Sequence, residues 1–170
     1  MSLRQSLQKP WVKYPLEVLF FILLYLGLRA YTQRDMVQGS APDIHAITLT
    51  QQQFRLSDAP KPLLVHFWAT WCGICKLEQD SIQSIHTDYP VVTIAMQSGS
   101  DAEIQAYLDE HHLNFPVIND SSGELSVRYG VQGVPASFIL NGKQEIIAAE
   151  RGYTTEWGLR LRLWWAKKTN

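Results

Sequence analysis

The stretch from Val18 to Leu28 is apolar throughout. Trp11, Val12, Tyr14, Pro15 and Leu16 extend it on one side, and Ala30 and Tyr31 on the other. As a helix, Trp11 to Tyr31 would be about 32 Å long, enough to cross a hydrocarbon core of ~30 Å. Gln33 to Pro42 is polar and small and reads as a tether. Ile44 to Leu56 has room for a short strand or two, and Leu63 to Trp68, after Pro60-Lys61-Pro62, reads as a buried strand. Gly73 to about His86 reads as one helix with Leu77, Ile82 and Ile85 on its apolar face, and Val91 to Met96 as a second strand. Ser100-Asp101-Ala102-Glu103 is a capping box that opens a helix to about His111. Ser121-Ser122-Gly123-Glu124 is another, opening a short helix to Tyr129 that Gly130 stops. Ser137 to Leu140, Asn141-Gly142 and Lys143 to Ala149 form a hairpin signature, and a last helix is expected from about Thr154 to Lys167. Its Leu159, Leu161, Leu163, Trp164 and Trp165 are expected to pack on the core, with a membrane-facing stripe as the alternative. This order predicts an α/β fold, a mixed sheet with its early strands parallel and helices on both faces.

The chain has 170 residues, room for one domain and a short appendage, and 46% hydrophobic residues with six Trp can fill its core. A net charge of −1 gives no basic footprint for nucleic acid and no acidic excess for disorder. Around the first apolar stretch the charges are uneven. Arg4, Lys9 and Lys13 precede it with no acid among them, while Arg29 and Arg34 follow it with Asp35 beside the latter. The positive-inside rule then places the N-terminus in the cytoplasm and the rest of the chain outside it. Trp11, Tyr14 and Tyr31 stand where interfacial aromatics would. A cleaved signal needs a small-x-small site just after the apolar run, which Leu28-Arg29-Ala30-Tyr31-Thr32 lacks. A cleaved signal and a buried core helix are the two competing readings. The expected organisation is a cytoplasmic N-terminus and single transmembrane anchor over 1–35, then a folded domain over 36–170. The expected location is the inner (cytoplasmic) membrane, single-pass, with the domain in the periplasm.

The chemistry concentrates on Trp68-Ala69-Thr70-Trp71-Cys72-Gly73-Ile74-Cys75-Lys76, which follows a predicted strand and opens a predicted helix. Cys72 and Cys75 are the only cysteines, too close to staple a fold. At a helix start, partial positive charge and free backbone N–H groups stabilise a Cys72 thiolate and make it the nucleophile. Cys75, one turn on, can resolve a mixed disulfide. A zinc site needs two further ligands, and no second cysteine pair exists. His111-His112 is read as a solvated helix end, since adjacent residues on a helix face different ways. Trp71, beside Cys72 in a loop, is expected to shape a docking surface.

The motif resembles the active site of the thioredoxin superfamily. From about residue 42 onward the chain is similar to the TlpA-like, membrane-anchored branch, and within it to the suppressor-of-copper-sensitivity D (ScsD) group. Three further matches carry the resemblance: Val134-Pro135 at the cis-proline position, Glu78 in Cys75-Lys76-Leu77-Glu78, and the segment from Ala102 to Asp120 as that branch's insert. The resemblance implies a redox-active Cys72–Cys75 disulfide. It also implies supporting roles for Trp71, Gly73, Ile74, Glu78, Val134 and Pro135. His66 replaces the buried Asp that thioredoxins use for proton transfer to the second cysteine; it is either a proton shuttle or a neutral core residue. Asp80 replaces a helix-kinking Pro, which implies a straighter helix. Ala136 replaces a Thr, and Ile74 stands where thioredoxin has Pro.

The expected activity is a protein disulfide oxidoreductase without cofactor or metal. It would reduce protein or small-thiol disulfides and draw electrons from a membrane donor of the thiol-reducing type. The ScsD resemblance makes copper stress and antioxidant activity its setting. Two alternatives use the same cysteines: an oxidase that donates disulfides, and a copper-binding or delivery module, since soft thiolates suit Cu(I).

Overall fold

All six side chains from Leu63 to Trp68 are buried, and so are those from Val91 to Ala95, because both strands are covered on two faces. The computed structural model describes residues 10–169, with side chains given for 14–28 and 31–169. Arg4 and Lys9, and the side chains of Trp11, Lys13, Arg29 and Ala30, lie outside the described residues. The chain divides into two units at Arg34/Asp35.

The first unit is one helix, α1 (Pro10–Gln33). Its described side chains from Tyr14 to Leu28 are all exposed, so the alternative of a core helix finds no core there. The stretch Tyr14–Gln33 is, by length and composition, long and apolar enough to cross a membrane. Arg34 stacks over the Tyr31 ring at 4.3 Å.

The second unit is built on a six-stranded mixed sheet in the order β1-β8-β7-β4-β5-β6. Its strands are β1 (Gly39–Ser40), β4 (Leu63–Trp68), β5 (Val91–Met96), β6 (Val117–Asp120), β7 (Ala136–Leu140) and β8 (Glu145–Arg151). The pairs β4–β5 and β5–β6 are parallel and the others antiparallel. Strands β2 (His45–Ile47) and β3 (Gln53–Arg55) form a separate small hairpin. The helices are α2 (Gly73–Lys76), α3 (Gln79–His86), α4 (Asp101–Glu110), α5 (Glu124–Arg128) and α6 (Glu156–Lys168). This is the expected α/β mixed sheet flanked by helices, with a thioredoxin-like topology. Alternation along β4 divides the core. Leu64 and Trp68 join Ile82, Ile85, Ile104, Leu159 and Leu163 on one face, while Val65 and Phe67 join Ile44, Leu56, Tyr129 and Phe138 on the other.

Several local expectations change. The helix from Gly73 to His86 is not continuous and not straight. Leu77 and Glu78 donate their N–H groups three residues back, to Ile74 and Cys75, and this tight turn separates α2 from α3 without a proline. Ser121-Ser122-Gly123-Glu124 does not act as a capping box. The free N–H groups of Leu125 and Ser126 go instead to the Asp120 carboxylate at 3.1 and 2.9 Å, a stronger acceptor already placed by β6. The Ser100–Glu103 box does form. Strands β1 and β6 have no clear sequence signature, being short and supplied with partners only by the sheet. The final helix buries Leu159, Leu163 and Ala166 but leaves Leu161, Trp164 and Trp165 exposed.

The expected tether is also folded. Met36 is buried among Tyr129 and its neighbours, Val37 N–H donates to the Tyr129 carbonyl at 3.2 Å, and β1 pairs with β8. Gly130, at φ +68°, lets the chain pass so close that a Cβ there would overlap the Asp35 carbonyl oxygen. Gly130→Ala should therefore cost more than the ~1–2 kcal/mol of a left-handed φ alone. Urea unfolding checks this, and a change within error would mean that residues 35–37 do not depend on that contact.

Candidate active site

Strand β4 ends at Trp68, and three long-range hydrogen bonds hold the loop that follows. Trp68 Nε1 donates to Thr93 Oγ1 at 3.1 Å, Thr70 N–H to Ser98 Oγ at 3.1 Å, and Trp71 Nε1 to the Gln97 carbonyl at 3.0 Å. Cys72 is the N-cap of α2, in extended conformation, and its Sγ accepts from Cys75 N–H at 3.1 Å. The two cysteines form a disulfide, with their Cα atoms 5.3 Å apart. In the reduced protein the same N–H would face a thiolate on Cys72 and favour it.

The loop before β7 approaches from the other side. The Val134–Pro135 peptide is cis, and the Val134 carbonyl lies 3.6 Å from Cys72 Sγ. The oxidised sulfur has no proton for it; a Cys72 thiol would. Gly152 N–H donates to the Pro135 carbonyl at 2.8 Å, and Thr154 N–H to Glu78 Oε1 at 2.5 Å. The segment after β8 thus ties the proline loop to the turn between α2 and α3. Trp71, Ile74, Leu77 and Tyr153 are exposed, whereas Cys72 and Cys75 are buried.

Glu78 is buried in this turn. Burial pushes its carboxyl up to about 7, against the opposing pull of the Thr154 N–H. Its Oε2 has no hydrogen-bond partner, which also favours the protonated acid.

His66 lies on the sheet face that carries Leu64 and Trp68, in register with Thr93 on β5 and Ser137 on β7. Its Nδ1 is 2.9 Å from Ser137 Oγ. Burial lowers its pKa to about 3, so the ring is neutral near neutrality. Stability from this neutral imidazole is complete above the unfolded pKa of ~6.5 and is lost as pH falls from there toward about 3. An NMR titration from about pH 5 to about pH 8 should show no His66 midpoint; a midpoint near 6.5 would mean that water reaches the ring.

The structure therefore brings Cys72, Cys75, Gly73, Ile74, Val134 and Pro135 together, with Trp71 at the rim and Glu78 beneath. His66 lies deeper, on the sheet. Sequence reasoning missed Ser98, Gln97, Gly152 and Thr154, which act through backbone or common side-chain groups and leave no motif. His111 stacks on Tyr107, with centroids 4.1 Å apart. Among the described residues, no three His, Cys, Asp or Glu side chains gather as metal ligands would.

The profile of the AhpC/TSA family matches residues 37–149. The chain belongs to the AhpC/TSA family. A thioredoxin-like protein of Haemophilus influenzae is 31% identical over 166 residues, covering 94% of this chain and 96% of that one. Sporulation thiol-disulfide oxidoreductase A of Bacillus subtilis is 27% identical, covering 81% and 91%. The crystal structure of StoA from Bacillus subtilis superposes with a TM-score of 0.63 at 26% identity, covering 71% of this chain and 96% of that one. With its close cysteine pair, this AhpC/TSA member is a thiol–disulfide oxidoreductase of the thioredoxin-like type.

Proposed function

We propose that this oxidoreductase is a membrane-anchored reductase of substrate disulfides, with the anchor within residues 1–35 and the catalytic domain, 36–170, in the periplasm. The observation that carries the chemistry is Cys72 Sγ, set between the Cys75 N–H at 3.1 Å and the Val134 carbonyl at 3.6 Å. The Cys72 thiolate attacks one sulfur of a protein or small-thiol disulfide. A Cys72–substrate bond forms, and the other substrate sulfur leaves as a thiolate. Cys75 then loses its proton and attacks Cys72 Sγ, which releases the second substrate thiolate and closes the Cys72–Cys75 disulfide. Two electrons have passed to the substrate, and a membrane donor of the thiol-reducing type restores the dithiol. Trp71, Gly73 and Ile74 shape the access to Cys72. Glu78 is the group offered for the Cys75 proton, and His66 keeps the sheet beneath the site neutral. The apolar α1 supports anchoring by its length, and the ScsD resemblance supports copper stress as the setting.

Equilibration of the chain with glutathione or thioredoxin measures its reduction potential. A value near ~−270 mV supports the reductase. A value near ~−120 mV replaces it with the oxidase, because the dithiol form would then be the stabilised one.

A further inference from the structure

We infer that the outward face of α6 is a second membrane contact, lying in the headgroup region of the bilayer that α1 enters. This rests on the anchor reading above. Helix α6 is apolar on two opposite sides. Leu159, Leu163 and Ala166 are buried in the core. Trp157, Leu161, Trp164 and Trp165, at i, i+4, i+7 and i+8, are 83%, 65%, 46% and 58% exposed. A surface helix with one core face ordinarily turns polar residues outward. Here the outward stripe holds three of the chain's six tryptophans. Leu161, Trp164 and Trp165, with Arg162 and with Ile147 and Ala148 of β8, line an open hollow of about 410 Å³.

The charges beside the stripe fit a headgroup layer. Arg160 is paired with Glu156 and Asp88, and Arg162 with Glu150, so these guanidinium groups are held by the protein itself. Lys167 and Lys168 are exposed at the end of the stripe, and Lys168 Nζ sits 4.5 Å over the Trp164 ring. Indoles with an adjacent basic cluster suit the boundary between acyl chains and anionic headgroups.

Chain connectivity selects the bilayer as the occupant. Helix α1 ends at Gln33, and Met36 is already buried in the second unit. Only Arg34 and Asp35 lie between them, so Gln33 and Met36 are at most about 10 Å of extended chain apart. A domain tied this closely to a spanning helix stays at the bilayer surface, where even a weak interfacial contact is saturated. The strand that leads into α6, β8, also reaches this segment through Gly130. Arg151 donates to the Gly130 carbonyl at 3.2 Å, and Gly130 packs on Asp35.

The test uses the full chain in vesicles of mixed zwitterionic and anionic lipids brominated at shallow acyl positions. The emission difference between the parent and a variant carrying Trp157→Phe, Trp164→Phe and Trp165→Phe reports these three indoles alone. Equal disulfide-exchange rates in the two proteins show that the variant is folded. The expected result is loss of most of that difference emission to the brominated lipid and little loss to aqueous iodide. Loss to iodide alone overturns the inference, because the stripe then faces water. Protection from both quenchers also overturns it, and a cross-linked dimer would then identify a second copy as the occupant. Carbonate extraction separates the two readings. A carbonate-resistant chain with a water-exposed stripe loses only the α6 contact, whereas a chain released by carbonate loses the anchor itself.

Discussion

Replacing Cys72 by serine is expected to abolish disulfide exchange, whereas replacing Cys75 by serine should trap the substrate. The two sulfurs are not equivalent. Cys72 caps α2 and its Sγ accepts the Cys75 N–H at 3.1 Å, while Cys75 lies inside the helix, one turn on. A serine hydroxyl at 72 is essentially never ionised near neutrality and cannot attack a disulfide, so turnover should fall by at least the ~10²–10⁴-fold typical of losing a reacting group's activation. Cys75→Ser keeps the nucleophile and removes the resolving thiol. It should accumulate a mixed disulfide with substrate that non-reducing electrophoresis separates and dithiothreitol dissolves. If Cys72→Ser retains exchange, or if the adduct forms on Cys75 instead, the assignment of nucleophile and resolving thiol is wrong.

The second large effect is expected at Glu78, as a pH dependence. A carboxyl raised from 4.5 to about 7 favours the folded state in its protonated form. That contribution is complete below the unfolded pKa and is lost as pH rises through about 7. The shift corresponds to about 3 kcal/mol. Glu78→Gln keeps an oxygen to accept from Thr154 N–H and removes the titration. Any fixed cost of the amide, including an unpaired N–H where Oε2 lay, is the same at every pH. Between about pH 4 and about pH 8 the stability of the variant relative to the parent should therefore improve by about 3 kcal/mol. Denaturant unfolding at both pH values measures it, and parallel curves would show that Glu78 is not the buried acid. If Glu78 also moves the Cys75 proton, resolution of the mixed disulfide by Cys75 should slow by on the order of 10²-fold in Glu78→Gln with both cysteines present, and lose its dependence on pH near 7.

Other residues show where sequence reading stops. The Cys72–Cys75 motif, the runs of β4 and β5 and the Ser100 capping box are local patterns. Spacing and side-chain type carry them, and they appear in the structure as read. The turn between α2 and α3 was not legible, because the sequence has Asp80 where a proline would announce a break. The break comes instead as a tight backbone turn at Leu77 and Glu78, where the buried Glu78 carboxyl receives an N–H from Thr154, 76 positions away. His66 was ambiguous for the same reason. Its type allows a proton shuttle, but its protonation depends on complete burial between β5 and β7, which no local window contains. The segment after α1 has a tether's composition and nevertheless folds, because Gly130 leaves room for its backbone and Met36 finds a cavity lined by distant residues.

By itself the sequence determined that a close cysteine pair stands where a strand ends and a helix begins, and that an apolar helix precedes the domain. Each follows from hydrophobic period, from end-capping or from the two sulfurs being three positions apart. Only the tertiary structure decided which peptide carbonyl faces Cys72, which backbone N–H meets Glu78, and which side of α6 is left uncovered. Those are contacts between residues far apart in the chain, and they exist only once the sheet has ordered its strands and brought their loops to one end.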